Sequence, residues 1–498
     1  MTDAIMLSET ALTGTSGLDD VLQGGLARNR VYLLEGDPGT GKTTTALRFL
    51  MEGARAGERT LYVTLSETGP ELHETAASHG WSLDGVEVFE LVPPESLLDE
   101  QQQQSLLYSS DLELGETTRL IFDQVERIRP HRVVIDSLSE IRLLAQGSLR
   151  YRRQILALKH YFAKNGATVM MLDDMSADPG DRTVHSIAHG VIRLEHAAPE
   201  YGADRRRLRV LKYRGRRYRG GFHDFSILTG GVEVYPRLVS LEHQGDFTRG
   251  ALTSGSDQLD ALLGGGVERG SSVLILGPAG TGKSLLTLTF VVDAIKRGEK
   301  AAIFVFDEEL GLLFRRTEAL GFDLERHREN GNLFIEQIDA AEQSPGEFTH
   351  RVRALVESHG VQTVVIDSLN GYQAAMPHEQ NLILHMHELL QFLNRRGATT
   401  FLTVAQHGLV GEMRSPVDVT YLADTVILLR YFEAFGQMRR AISIIKKRAG
   451  PHEKTIREYR IDERGLTVGE VLTGFQGVLR GVPTFAGAED ALMKAPTE

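Results

Sequence analysis

The chain has 498 residues, a net charge of −12 and no cysteine. That length exceeds one ordinary core, and the lack of cysteine excludes disulfides, thiolate metal sites and thiol nucleophiles, leaving oxygen-liganded Mg²⁺ as the expected metal. An acidic balance gives no general pull toward nucleic acid; no apolar run reaches membrane-spanning length and MTDAIMLSET lacks a basic-then-apolar leader, so a cytoplasmic protein is expected.

In chain order, GLDDVLQGGL from Gly17 leads into the apolar run VYLLEG from Val31, a predicted strand, and then into GDPGTGKT from Gly36 to Thr43. The last reads G-x-x-x-x-G-K-[ST], a phosphate-binding loop. Gly36, Gly39, Thr40 and Gly41 let backbone N–H groups close around a polyphosphate, Lys42 reaches its terminal phosphates, and the Thr43 hydroxyl holds Mg²⁺. TTTALRFLMEGAR from Thr43 predicts the helix such a loop needs, its N-terminus aimed at the phosphates. LYVTL from Leu61 predicts the next strand, followed by Glu67 in TLSET; Gln101 to Gln104 mark a polar surface loop. VVIDSL with Asp136, ATVMML from Ala167 and LKYRG from Leu211 complete the half.

The second half repeats this order. QLDALLGGGV from Gln258 leads into SVLILG, then GPAGTGKS from Gly277 to Ser284, with Gly280, Thr281, Gly282, Lys283 and Ser284 in the same roles, then the helical run SLLTLTFVVDAIKR. AIFVF from Ala302, FDEEL with Glu308 and Glu309, VVIDSL with Asp367, ATTFLTV from Ala398 and IKKRA from Ile445 follow. Gly36 and Gly277 lie 241 residues apart, Asp136 and Asp367 only 231, which places the extra residues of the first half before Asp136. A tandem duplication follows, with domains expected at 1–243 and 244–498 and the join between Ser240 and Arg249. Fully apolar, β-branched runs linked by helices imply, in each domain, an α/β fold with a largely parallel sheet covered on both faces.

Asp136 and Asp367 each end a VVI run in a charge, where a carboxylate reaches Mg²⁺ through water or caps the following turn. Glu67, aligned with Glu308 by loop offset, and Glu309 stand where a general base can polarise an attacking water; a solvated strand end is the alternative.

The paired loops, the GGL and GGGV lead-ins, SET and DEEL, the VVIDSL strands and the KYR and KKR segments together resemble the KaiC family of the bacterial circadian clock, from about Leu12 to Phe485. The resemblance implies two tandem RecA-like P-loop domains, ATP and Mg²⁺ as cofactors, and homohexameric rings with ATP between neighbouring subunits. It further implies hydrolysis in the N-terminal ring and serine/threonine autophosphorylation in the C-terminal ring. Carried over by motif, Glu67 is the N-terminal catalytic carboxylate, although the family's Glu-Glu pair is Ser66–Glu67 here; Glu308 and Glu309 keep the pair, and Glu308 deprotonates the acceptor. Lys212 and Arg214, with Lys446 and Arg448, are implied to reach the γ-phosphate of a neighbour's ATP. The phosphoacceptor positions fall on Thr420 and Tyr421, the latter a departure from the family's threonine. The chain continues thirteen residues past Phe485, shorter than the tail that clock members offer to an activating partner, so a full three-protein clock is not implied.

Two rival readings stand beside this one. RRRLRVLKYRGRRYR from Arg205, with nine basic residues in fifteen, suits a DNA-handling RecA-like ATPase. A nucleotide-gated signalling scaffold needs no turnover at all. The pairs His185 and His189, and His385 and His387, lack acidic neighbours at metal-binding spacing and are expected on helix surfaces or interfaces.

Overall fold

The computed structural model describes residues 9–91, 106–175, 183–199, 202–375, 379–406, 420–462, 465–478 and 484–485. The predicted loop at Gln101–Gln104 and the tail beyond Phe485 lie outside them. The chain divides into two compact units, Met1–Arg237 and Leu238–Glu498.

The first unit is built on β1 (Val31–Gly36), α1 (Lys42–Arg55), β2 (Thr60–Thr64), β3 (Val86–Glu90), β4 (Arg132–Asp136), β5 (Thr168–Asp174), β6 (Gly190–Ala197), β7 (Arg205–Tyr213), β8 (His223–Leu228) and β9 (Gly231–Tyr235). The nine strands form one sheet in the order β9-β8-β7-β6-β1-β5-β4-β2-β3. The six strands from β3 to β6 run parallel, and β7, β8 and β9 extend the sheet antiparallel. Every residue of β1, β2 and β4 is buried, as expected for strands covered on both faces. The two-residue alternation divides β1: Tyr32 and Leu34 pack with Leu47, Phe49 and Leu50 of α1, while Val31 and Leu33 pack with Ile155, Leu158 and Phe162 on the other face. Emptying the Phe49 site to alanine costs about 3–5 kcal/mol.

The second unit repeats the plan with β10 (Ser272–Gly277), α2 (Lys283–Lys296), β11 (Lys300–Val305), β12 (Leu333–Gln337), β13 (Val361–Asp367), β14 (Thr399–Ala405), β15 (Thr425–Ala434), β16 (Gln437–Lys447), β17 (Ile456–Asp462) and β18 (Gly465–Val471). Its order, β12-β11-β13-β14-β10-β15-β16-β17-β18, matches the first sheet strand for strand. Both units are therefore RecA-like α/β domains.

Residues 238–243, expected to close the first domain, fold with the second. Leu238 is buried in its core, the Ser240 amide donates to Glu388 Oε2 at 3.1 Å, and the His243 ring stands edge-on to Phe392 with Nδ1 3.1 Å from Glu357 Oε1. Among the described residues no helix is long and apolar enough to cross a membrane.

Candidate nucleotide sites

Each phosphate loop leaves the central strand of its sheet and enters a helix. At the turn Gly41 and Gly282 both have φ 91° and stand as N-caps without a side-chain acceptor. The first N–H groups of α1 and α2 are thus left without a side-chain cap, which is the arrangement that receives an anion. Gly36 and Gly277 are needed for close approach: an added Cβ would meet Leu194 O or Leu429 O at 2.7 Å. Thr40 and Thr281 brace the turns by donating to Asp37 O and Pro278 O, and Gly39 and Gly280 occupy positive φ.

In the first loop Lys42 Nζ donates to Gly36 O at 2.8 Å and Asp37 O at 3.0 Å, and pairs with Asp174 Oδ1 at 2.6 Å. Asp136 Oδ2 accepts from Tyr62 OH at 2.6 Å and from the Thr43 hydroxyl at 3.4 Å. Burial raises the Asp136 carboxyl above its ordinary range, although Tyr62 and Lys42 oppose it. Glu67 lies close enough for that charge to act on it. Burial raises its carboxyl first, and Asp136 and Glu71 raise it further. Among the described residues its buried Oε2 has no hydrogen-bond partner. An orphaned carboxylate oxygen facing a second carboxylate, beside uncapped helix N–H groups, fits a site that takes a metal ion, a water and a polyphosphate.

The second loop keeps the core of this arrangement and changes its surroundings. Lys283 Nζ donates to Gly277 O at 3.0 Å and Pro278 O at 2.9 Å, and burial lowers its ammonium, opposed by Asp367. Asp367 Oδ1 accepts from Thr403 rather than from a tyrosine. Ser284 opens the helix beside Lys283, as Thr43 does beside Lys42. Glu308, raised by burial and by Asp367, is paired with Arg316 at 2.8 Å.

Glu309 is not at this site. Its carboxylate accepts from the amides of Gly311 at 2.8 Å and Leu312 at 2.9 Å, capping the helix Leu310–Glu318, and these bonds hold its carboxyl below the ordinary range. Its counterpart is Thr68, which caps Gly69–Ser78 in a capping box with Glu71. The equivalence is fixed by the ladder, since Leu65 N donates to Asp136 O as Phe306 N does to Asp367 O. Glu67 therefore matches Glu308, and Ser66 matches Asp307. Asp307, which the motif reading passed over, accepts from Ser368 Oγ at 2.5 Å.

The four distal cations stand at the other end of each sheet. Lys212 donates to His185 O and Ala188 O, and Arg214 to Ser186 O. Lys446 repeats this on Thr420 O and Ala423 O, and Arg448 on Tyr421 O. These carbonyls precede β6 and β15. The first residue of β6 lies level with Tyr32 at the start of β1, whereas the loop leaves β1 at Gly36. In the second domain Thr425 lies level with Val273, and the loop leaves at Gly277. Four residues of strand, about 13 Å, thus separate each cradle from the loop of its own domain. Thr420 is half-buried and Tyr421 is 50% exposed; both belong to the cradle that Lys446 and Arg448 hold.

Part of the basic run of β7 is paired with acids. Arg207 and Arg209 pair with Glu195 and lie over the Phe222 ring, and Arg206 pairs with Asp204. Two histidines differ from expectation. His185 Nε2 meets Glu35 Oε2 at 2.6 Å because the sheet carries β1 under its helix. His385, expected on a helix surface, is enclosed between Thr349 and Tyr372, and burial pushes it down to about 4.

Comparison with known proteins agrees with this architecture. The family model described as "ATPase: KaiC" matches twice, at residues 11–239 and 252–472. The circadian clock protein KaiC3 of Synechocystis sp. is 27% identical over 493 residues, covering 96% of this chain and 95% of its own. The circadian clock oscillator protein KaiC of Acaryochloris marina is 27% identical over 95% and 91% of the two chains, and that of Parasynechococcus marenigrum 29% identical over 95% and 92%. With both domains matched and both phosphate loops intact, the chain belongs to the KaiC family of ATPases.

Proposed function

We propose that this chain forms nucleotide-bridged rings of identical subunits, six to a ring as its family likeness implies, which hydrolyse ATP in the first domain and phosphorylate themselves in the second. The observation that carries this is the distance between each cationic cradle and its own phosphate loop. Cations at one end of a sheet and a phosphate loop at the other complete one another only between subunits arranged head to tail, a heterologous contact that closes into a ring.

In the first domain Thr43 and Asp136 are suited to hold Mg²⁺, Lys42 to orient the terminal phosphates, and Glu67 to take a proton from the attacking water. Lys212 and Arg214 of a neighbour then stabilise the transferring charge; such cations contribute on the order of 10³ or more in rate where they are established. ATP supplies the transferable phosphoryl group and, with Mg²⁺, the charge these residues offset. In the second domain Ser284 and Asp367 take the metal-holding role, and Glu308 takes the proton of the Thr420 hydroxyl that a neighbouring subunit brings with its cradle. The Thr420 oxygen forms the new bond to phosphorus as the bond to ADP breaks. Tyr421 is the longer, secondary acceptor.

The relatives are named as circadian clock proteins, and a role in timing is extended to this chain on that likeness; a signalling role, a cytoplasmic location and a protein partner belong to the same proposal. Pairing of the β7 arginines with acids and Phe222 weighs against nucleic acid as that partner. Tyr421 at the second acceptor position favours, as the other reading, a nucleotide-gated scaffold without kinase activity.

Light scattering of the full chain with and without Mg-ATP is the test. Ring-sized particles are expected with nucleotide, lost when Lys212, Arg214, Lys446 and Arg448 are changed to alanine; monomers at saturating Mg-ATP would end the bridging reading. Intact-protein mass spectrometry after incubation with Mg-ATP tests the kinase half. Thr420→Ala and Glu308→Gln should each remove the dominant phosphopeptide, Tyr421→Phe less, and absence of phosphate with turnover intact would leave the scaffold reading.

A further inference from the structure

The cradle of the first domain carries more cations than its own fingers. Lys212 and Arg214 hold the carbonyls of His185, Ser186 and Ala188, and the remaining one in that run, Ile187 O, is held at 2.9 Å by Lys159 of the helix Ser148–Lys164. Arg30, exposed just before β1, precedes Val31, whose carbonyl accepts from the His189 amide. Burial first, and then the charges of Arg214 and Arg30, hold Lys159 below the ordinary lysine range; Lys212 is lowered by burial, Arg214 and Lys159. His189, among them, is pushed down to about 4 by burial and by all four cations. Among the described residues no carboxylate forms an ion pair with any of the four.

The second domain has lost this excess residue by residue. Ser271 stands where the first domain has Arg30, the buried Leu390 where it has Lys159, and Asp424 where it has His189. Asp424 Oδ1 pairs with Arg448 at 3.1 Å, while Oδ2 accepts from the amide and hydroxyl of Ser272, each at 3.0 Å. The first domain thus presents four cations without an ion pair, whereas in the second Asp424 pairs with Arg448, and the further cations of the same cavity, Arg249, Arg269 and Arg395, stand with the acids Asp246 and Glu268. Crowded like charges raise the energy of the empty cradle, and an anion relieves that in proportion to its charge.

We propose that Arg30 and Lys159 join Lys212 and Arg214 in a single polyphosphate-receiving site, and that this site makes the first domain selective for nucleoside triphosphate over diphosphate at the subunit junction, beyond what the second domain can achieve. The inference rests on the bridging reading above.

The test uses the full chain carrying Lys283→Ala, so that assembly reports the first domain, with Mg-ATP and Mg-ADP as probes and light scattering as readout. Arg30→Ser combined with Lys159→Met should raise the Mg-ATP midpoint for assembly about tenfold, and the Mg-ADP midpoint less than about threefold. If Lys159 only braces the Ile187 carbonyl, both midpoints move together, and that result, or no movement of either, overturns the proposal. Failure of the Lys283→Ala parent to assemble with Mg-ATP would instead overturn the bridging reading, and this inference with it.

Discussion

The two phosphate sites share a backbone and differ in the polar groups around it. Lys42 is pinned by Asp174, and Asp136 by a tyrosine hydroxyl. Ala405 stands where the first domain has Asp174, so among the described residues Lys283 donates to its two loop carbonyls and pairs with no acid there, and Asp367 is held by Thr403. The general-base candidates diverge in parallel: Glu67 has a buried, unpartnered oxygen, while Glu308 is paired with Arg316. A half-buried carboxylate with one oxygen unpartnered among the described residues suits water activation. One held by a guanidinium can be positioned for a bulkier acceptor. The two domains keep the same phosphate-loop motif and differ in the side chains around it.

The sharpest break of the comparison is Glu67→Gln in the Lys283→Ala chain. The change removes the proton acceptor and keeps side-chain volume, so phosphate release should fall by about 10²–10⁴ while nucleotide stays bound. Unchanged release would mean another group activates the water and the contrast between Glu67 and Glu308 has no functional meaning.

A smaller effect tests the lysine contrast. Incoming phosphate must draw Lys42 away from Asp174, a pair that is one-third exposed on the acid side; after solvent screening its loss is worth on the order of 1 kcal/mol. Asp174→Ala should therefore tighten first-domain nucleotide binding several-fold in a titration, and Ala405→Asp should weaken the second domain's by a similar factor. Opposite signs at both sites would refute a competing role for Asp174.

Acidity separates the sites further. Both Glu67 and Glu308 are raised above the ordinary carboxylate range, and a general base works only when deprotonated. Rates should accordingly rise with pH through a limb lying above that range. Arg316 opposes the rise at Glu308, so Arg316→Gln should move the second domain's limb to higher pH and leave the first domain's in place.

The loops, their strands and both aspartates were legible because each motif is local and its apolar strand is covered on both faces. Tyr62 and Asp174 were not, since the order β1-β5-β4-β2 brings together residues far apart in sequence. The three antiparallel edge strands were also hidden. Arg205–Tyr213 alternates basic with apolar residues and read as a charged patch, whereas the ladder shows one face resting on the core and the other neutralised by Glu195 and Asp204. The acidic pair DEEL misled by one residue, because what fixes its register is the start of the following helix.

That register supplies the smallest and most local test. If Glu309 is a cap, Glu309→Ala leaves two amide donors of the helix Leu310–Glu318 without their acceptor and destabilises its first turn. In thermal unfolding the second domain should lose a few degrees, with phosphate on Thr420 nearly unchanged. Glu308→Gln should do the reverse, keeping stability and stopping transfer. The cap bonds already hold Glu309 below the ordinary carboxylate range, so the stability gained from it should be fully present above that range, decline below it and be gone once pH has dropped through the lowered value. Loss of phosphorylation from Glu309→Ala at unchanged stability would return Glu309 to the catalytic pair, and with it the family's Glu-Glu reading of this domain.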